Sequence, residues 1–281
     1  MINSPYDQIE RSEWKSKTNE LVASHELLGD ENKLLKHIND AWTAVWTTTI
    51  GSGALAISFR DTAPRAQIVG DFFESLIARS LAGIGWRRGT TTKEKDIVNL
   101  NDDSLSFEIK TSGQASARIY GNRSYAQAVE GGDIESTRKS RSGYYLCVNF
   151  FGDKIYRVRV GWIDGADWKA QKSETGQMAE LQDYVYSMKL VDVNGVYLEH
   201  TPLCVVDGVG GTTVSEMKSC GFFSFSDVIE RLALDSVPSE NALKDGLIGE
   251  GLVAATAARV TRSLCRSEQF GAILRLKNLA R

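Results

Sequence analysis

The residues that could do chemistry stand close together, in Lys95-Asp96-Ile97-Val98 and Ser106-Phe107-Glu108-Ile109-Lys110-Thr111. Apolar and polar side chains alternate through the second segment, the period of a strand with one face on a core. Leu105, Phe107 and Ile109 then face inward, and Ser106, Glu108 and Lys110 share the other face. An acid and a base at i and i+2 on a strand form one fixed polar patch. Asp96 joins that patch only if the connection through Asn101-Asp102-Asp103-Ser104 sets the register. A symmetrical two-residue turn at Asp102-Asp103 pairs Asp96 with Ile109, on the wrong face. A three-residue loop, Asn101 to Asp103, pairs Asp96 with Glu108; a bulge near the turn serves equally. We expect one of the latter two.

Two carboxylates side by side repel each other and favour a hard divalent cation. Mg²⁺ takes oxygen ligands and is commonly held by one or two carboxylates plus substrate phosphate. Such an ion lowers the pKa of a bound water and stabilises charge on phosphate oxygens. Lys110, a compact cation, would position the attacking water and steady the transition state. Glu74 lies on the polar row of the preceding helix and would bring a further carboxylate to the same ion or to a second one. The chemistry within reach is metal-assisted phosphodiester hydrolysis. The same residues also allow a plainer reading, a solvated hairpin whose outward charges form ordinary cross-strand pairs. For Glu74 the plainer reading is a solvated helix face.

These side chains need a scaffold, and the chain can supply one. Its 281 residues are 42% hydrophobic and 25% charged, with a formal net charge of −3, ordinary for a folded chain with a real core. The negative balance does not favour nucleic acid by itself, but clustered carboxylates lower the total and only the local field matters beyond a Debye length. Cys147, Cys204, Cys220 and Cys265 form no CxxC pair, which argues against zinc or a disulfide framework. His25, His37 and His200 are too dispersed for a zinc site or a Ser-His-Asp triad. The polar N-terminus and the lack of an 18-residue apolar run point to a reduced, cytoplasmic protein with no membrane partner.

The periodicity predicts an α/β fold in a single domain, residues 1–281. Residues 1–60 read mainly as helix, with Asp30 as a cap and Thr47 to Gly53 as a closing loop. A helix begins near Pro64 and runs through Ala66–Leu81, with Ile68, Phe72, Leu76 and Val69, Phe73, Ile77 as two apolar rows. Strands follow at Asp96–Leu100, Leu105–Thr111, Tyr144–Phe151 and Lys154–Gly161, the last two joined at Gly152-Asp153. A further hairpin is expected at Asn194-Gly195, with short strands at Leu203–Val206 and Phe222–Phe225. From Leu243 the chain is helical. Residues 64–162 form the expected catalytic core, and 163–281 add strands and C-terminal helices.

Asp96, an interval of twelve residues and then Glu108-Ile109-Lys110 resemble the D…ExK signature of the PD-(D/E)XK nuclease superfamily. Lys95 stands where many members have proline. The resemblance implies a restriction-endonuclease-like fold, a central mixed β-sheet flanked by helices, here with added N- and C-terminal helices. It implies metal ligation by Asp96, Glu108 and Glu74, with Lys110 as the fourth catalytic residue. The stretches from Lys110 to Gln127 and Arg159 to Asp164 resemble type II restriction endonucleases, among them those similar to ScaI. That implies a short palindromic site on double-stranded DNA, a homodimer, Mg²⁺ as cofactor and a separate methyltransferase that protects cell DNA. A structure-selective repair or recombination nuclease on the same core, or a non-catalytic DNA-binding module, are the competing readings.

Arg118, Tyr120, Asn122, Arg123, Tyr125 and Gln127 follow the site closely and offer guanidinium, amide and aromatic groups suited to base edges. Arg138, Lys139 and Arg141 suit phosphates. A surface loop without a partner is the plainer reading of this segment. The C-terminal basic row, Arg259, Arg262, Arg266, Arg275, Lys277 and Arg281, reads as a solvated helix face.

Overall fold

A computed structural model describes residues 4–114, 116–126, 140–170, 178–193 and 195–279. Two compact units emerge: residues 1–113, 118–149 and 158–193 form one, and residues 114–117, 150–157 and 194–281 the other.

In the first unit, α1 (Trp14–Ser24) and α2 (Glu31–Thr47) precede a two-stranded ribbon of β1 (Thr49–Ile50) and β2 (Ile57–Ser58). Asp30 caps α2, its carboxylate accepting from Lys33 N at 3.1 Å, which satisfies one of the orphan donors of the first turn. The loop expected from Thr47 to Gly53 therefore contains a strand, too short to carry a period. α3 (Ala66–Leu81) follows. Of its two apolar rows, Val69, Phe73 and Ile77 are fully buried. They pack toward the Leu34, Ile38, Trp42 and Val45 face of α2, with Trp42 edge-on to Phe73 at 5.6 Å. Ile68 and Phe72 stay 44% and 38% exposed, so the second row is only partly used.

Six strands form the central sheet: β3 (Trp86–Arg88), β4 (Ile97–Asn99), β5 (Phe107–Ser112), β7 (Gly143–Phe151), β8 (Lys154–Ile163) and β11 (Leu190–Asp192), in the order β11-β8-β7-β5-β4-β3. β3, β4 and β5 run antiparallel, β5 and β7 parallel, and β8 and β11 antiparallel, so the sheet is mixed. A second sheet orders β6 (Tyr120–Asn122), β10 (Met178–Leu181) and β9 (Trp168–Ala170) as β6-β10-β9. Its core joins Ile119, Trp168, Ala179 and Leu181 to Tyr145 and Cys147 of β7. α4 (Asp183–Met188) leads into β11.

The turn at Gly152, φ +57°, is where the alternation placed it. Of the hairpin expected at Asn194-Gly195, Asn194 lies outside the described residues; on its two sides Leu190 to Asp192 pair with β8, and residues 195–200 are a 3-10 turn rather than a strand. Leu203–Val205 is likewise a 3-10 turn rather than a strand, leaving a single bridge between Pro202 and Ser224.

The second unit is mainly helical: α5 (Gly211–Ser219), α6 (Phe225–Arg231), α7 (Glu240–Gly249), α8 (Ala254–Arg266) and α9 (Glu268–Leu279). It has its own apolar core, which includes Met217, Phe222, Phe225, Leu247, Val260 and Leu274.

Candidate active site

Ile97 is paired with Phe107, which sets Asp96 directly across from Glu108 in antiparallel register. The connection that achieves this is longer than a hairpin loop. It spans residues 100–106 and includes a 3-10 turn at Asp103–Leu105. Asn99 Oδ1 accepts from the backbone of Asn101 (2.8 Å) and Asp102 (3.0 Å), and Asp102 Oδ1 accepts from Ser104 N (2.9 Å). Short polar side chains thus replace the ladder and hold the register. Ser106 serves the same purpose, its hydroxyl accepting from Asn99 N at 3.1 Å.

The polar face of β5 is covered rather than open. Glu108 is 1% exposed. Its Oε1 accepts from Lys110 Nζ at 2.7 Å and from the Tyr125 hydroxyl at 2.6 Å. Asp96 Oδ2 accepts from Ile109 N at 2.9 Å and stands 3.8 Å from Lys110 Nζ. One ammonium group therefore sits within ion-pair reach of both acids. Burial works to pull the Lys110 pKa down, but the charges of Glu108, Tyr125 and Asp96 outweigh it and hold the ammonium above its ordinary value. Tyr125 also places its ring over that ammonium at 5.2 Å and meets Trp168 edge-on at 4.8 Å.

Glu74 comes from α3, which lies close against β5: a side chain at Gly70 would collide with Thr111 Oγ1. The Glu74 carboxylate accepts from Arg88 at 3.0 Å. Burial and then the charge of Asp96 push its pKa up, against the pull of Arg88 and Lys110. Among the described residues, no three His, Cys, Asp or Glu side chains gather as an ion cage. Asp96 and Glu108 nevertheless suit a hard cation, since a cation already bridges them in the form of Lys110, and one or two carboxylates suffice when the substrate brings phosphate oxygens. A metal-assisted hydrolase needs such a set. Residues 4–194 match the family model of the ScaI restriction endonuclease.

The chain belongs to the ScaI restriction endonuclease family. Over 203 residues it is 32% identical to the type II restriction enzyme ScaI of Streptomyces caespitosus, covering 68% of this chain and 85% of that enzyme. No solved structure matches it. The mixed six-stranded sheet with flanking helices is the restriction-endonuclease-like fold. This ScaI-family protein is accordingly a site-specific deoxyribonuclease that acts on DNA, of a class that generally needs a divalent metal.

The residues expected at DNA scatter around this centre. Tyr125 stands at the carboxylates, as just described. Arg118 is held by Asp183 at 2.9 Å and Glu180 at 3.6 Å. Tyr120 and Asn122 lie on β6, half-buried and exposed in turn. Arg141 donates to the Tyr125 carbonyl at 3.0 Å. The backbone of Arg123 lies in the 3-10 turn after β6, but its side chain, with Gln127, Arg138 and Lys139, lies outside the described residues. The sequence did not mark Tyr125 as a partner of Glu108, nor Tyr145, whose backbone pairs with Glu108 and whose hydroxyl donates to Arg141 O at 2.6 Å. Only the aromatic content of the segment hinted at either.

Proposed function

We propose that this ScaI-family enzyme cuts both strands of a short palindromic DNA site with Mg²⁺, using Asp96, Glu108 and Lys110. The observation that supports it is the pair of acids in register on neighbouring strands with one lysine between them. Asp96 and Glu108 would hold the ion, with Glu74 a further carboxylate once released from Arg88. Bound there, Mg²⁺ supplies positive charge to a phosphate oxygen and acidifies water.

The chain's own groups do the rest. The Ile109 N–H fixes one oxygen of Asp96, and the Tyr125 hydroxyl fixes one of Glu108. Lys110, its charge secured, orients the nucleophile and offsets negative charge on the phosphorane. Arg118, Tyr120, Asn122, Arg123, Gln127, Arg138, Lys139 and Arg141 are proposed as DNA contacts. Two-fold symmetry in the site calls for a homodimer. We place the enzyme in the bacterial cytoplasm beside a methyltransferase that protects the host's own sites.

Digestion of a mixed-sequence plasmid with Mg²⁺, followed by sequencing of the ends, tests this. Discrete bands with one common palindrome at every end are expected. Smears, or cuts confined to branched DNA, would sink it.

A further inference from the structure

The family match ends at residue 194, and α7 and α8 lie beyond it. They are joined by residues 250–253, a turn in which Gly251 takes φ +100°, a conformation cheap only for glycine. Leu243 and Leu247 of α7 and Ala257, Val260 and Leu264 of α8 are fully buried in the same core. Two helices, a short glycine-bearing turn and buried positions three and seven residues apart on the second helix have the layout of a helix-turn-helix. The turn is fixed from α5: Glu216 accepts from Val253 N at 2.9 Å and from the Thr256 hydroxyl at 2.6 Å. Glu250, within the turn, pairs with Arg231 at 2.7 Å. The acids nearest the turn are thus spoken for.

Away from the core, α8 presents Ala255, Ala258, Arg259, Arg262 and Arg266, of which all but Ala258 are exposed. No acid occurs anywhere in α8. Arg259 donates to Thr213 Oγ1 (3.0 Å) and Arg262 to Ala258 O (3.2 Å). Among the described residues, none of the three arginines is in an ion pair with a carboxylate. A helix face meant only for water usually mixes signs and pairs them at i,i+4; this one carries a single sign on an alanine floor. Arg259 and Arg266 lie about 10 Å apart along the axis, and a slim cationic helix of this kind fits the B-DNA major groove, about 12 Å wide.

We propose that α7 and α8 form a helix-turn-helix that binds duplex DNA, with α8 in the major groove and Arg259, Arg262 and Arg266 on phosphates and base edges. This is a second DNA contact, additional to the cleavage site. The choice of DNA rests on the family's substrate and on charge complementarity. Duplex RNA is a poorer fit, because its deep, narrow major groove does not admit a helix.

The test uses the full chain, a fluorescent 30-base-pair mixed-sequence duplex, EDTA to prevent cutting, and anisotropy across a salt series. Arg259→Ala, Arg262→Ala and Arg266→Ala combined should weaken binding at least about tenfold and flatten the salt slope by about two to three, at roughly 0.9 for each phosphate no longer neutralised. Ala255→Glu, a good helix residue near an N-terminus, should weaken binding without loss of thermal stability. An RNA duplex of the same sequence should compete poorly. Wild-type affinity and slope in both variants, or equal competition by RNA, overturns the proposal. Plasmid cutting by the unmodified chain is scored separately. If cutting is present while the variants bind normally, only the helix-turn-helix fails. If cutting is absent while they lose binding, only the nuclease reading fails.

Discussion

At the scale of single residues, Asp96 has two tasks that substitution can separate. Its carboxylate faces Glu108, and its Oδ2 also replaces a ladder bond by accepting from Ile109 N. Asp96→Asn keeps an acceptor for that N–H but loses the charge. We expect an unchanged melting temperature and a fall in cleavage rate of at least about 100-fold, the order seen when one charge-stabilising group is removed. Lys110→Ala should fall at least as far, and Glu74→Gln less, because Glu74 is already balanced by Arg88. Single-turnover cleavage of plasmid DNA reads all three; full activity in Asp96→Asn would remove it from the site.

His25 offers a pH-dependent prediction at the same scale. Its Nδ1 accepts from Leu27 N (3.2 Å) and Leu28 N (3.0 Å), and its Nε2 bonds Leu105 O at 2.9 Å. The ring is therefore neutral, with its proton on Nε2, and burial lowers its pKa below the ordinary 6.5. The folded state binds fewer protons here than the unfolded state, so this contribution is whole above pH 6.5 and is lost as pH falls below it, by up to about 1.4 kcal/mol per pH unit. His37 is shifted the same way by burial. Urea melts at pH 5 to 7 should show that slope in the wild type and a shallower one in His25→Asn. Equal slopes would mean that His25 is not the titrating group.

At the scale of elements, α3 must lie close to β5 for Glu74 to share the field of Asp96 and Lys110. Gly70 allows that approach. Gly70→Ala should cost about 1–3 kcal/mol of stability as an overpacked contact, against the gain of under about 1 kcal/mol that alanine brings to a helix. Thr111→Ala in the same chain should recover part of it, read by chemical denaturation of the four members of the cycle.

The elements that could be read from the sequence are the ones with a sustained period: α2 with its Asp30 cap, α3, and the alternation through β5, β7 and β8. The register of Asp96 against Glu108 was legible as a condition, because only certain connections satisfy it; the Asx-type bonds that meet the condition were not. The β6-β10-β9 sheet was invisible because strands of three or four residues carry no period. Asn194-Gly195 misled because a local turn signal cannot reveal that Leu190 to Asp192 have a better partner in β8. Tyr125 reaches Glu108 through packing on Trp168, a contact across 43 positions that no local pattern encodes.

At the scale of the whole molecule, the proposed dimer needs a surface that matches itself. Ile50 and Ile57 face each other across the β1–β2 ribbon and are 44% and 45% exposed, and Leu55 between them is 84% exposed. Phe59 continues from the ribbon and meets the half-exposed Phe72 edge-on at 5.2 Å. Phe59 itself is buried, so the exposed apolar surface is the ribbon's Ile50, Leu55 and Ile57, and clustered exposed apolar side chains of this kind usually mark an interface. Leu55→Asp should shift the enzyme toward monomer in sedimentation velocity and slow plasmid cutting while leaving the melting temperature within about 2 °C, as expected when the change is well under 1 kcal/mol. A dimer that persists unchanged would place the contact elsewhere.

The lysine between the two acids has a bearing on when the enzyme is armed. At rest a tethered cation already offsets one of the two carboxylate charges, so an incoming ion must compete with an ammonium that never diffuses away. Cofactor affinity in the resting protein should therefore be weak, and chelators should leave the fold untouched. A DNA phosphate changes that balance by adding negative charge that Lys110 alone cannot match. On the proposed function, loading of the ion and arrival of the substrate would become one linked event, and an idle nuclease would be spared a standing hydrolytic centre.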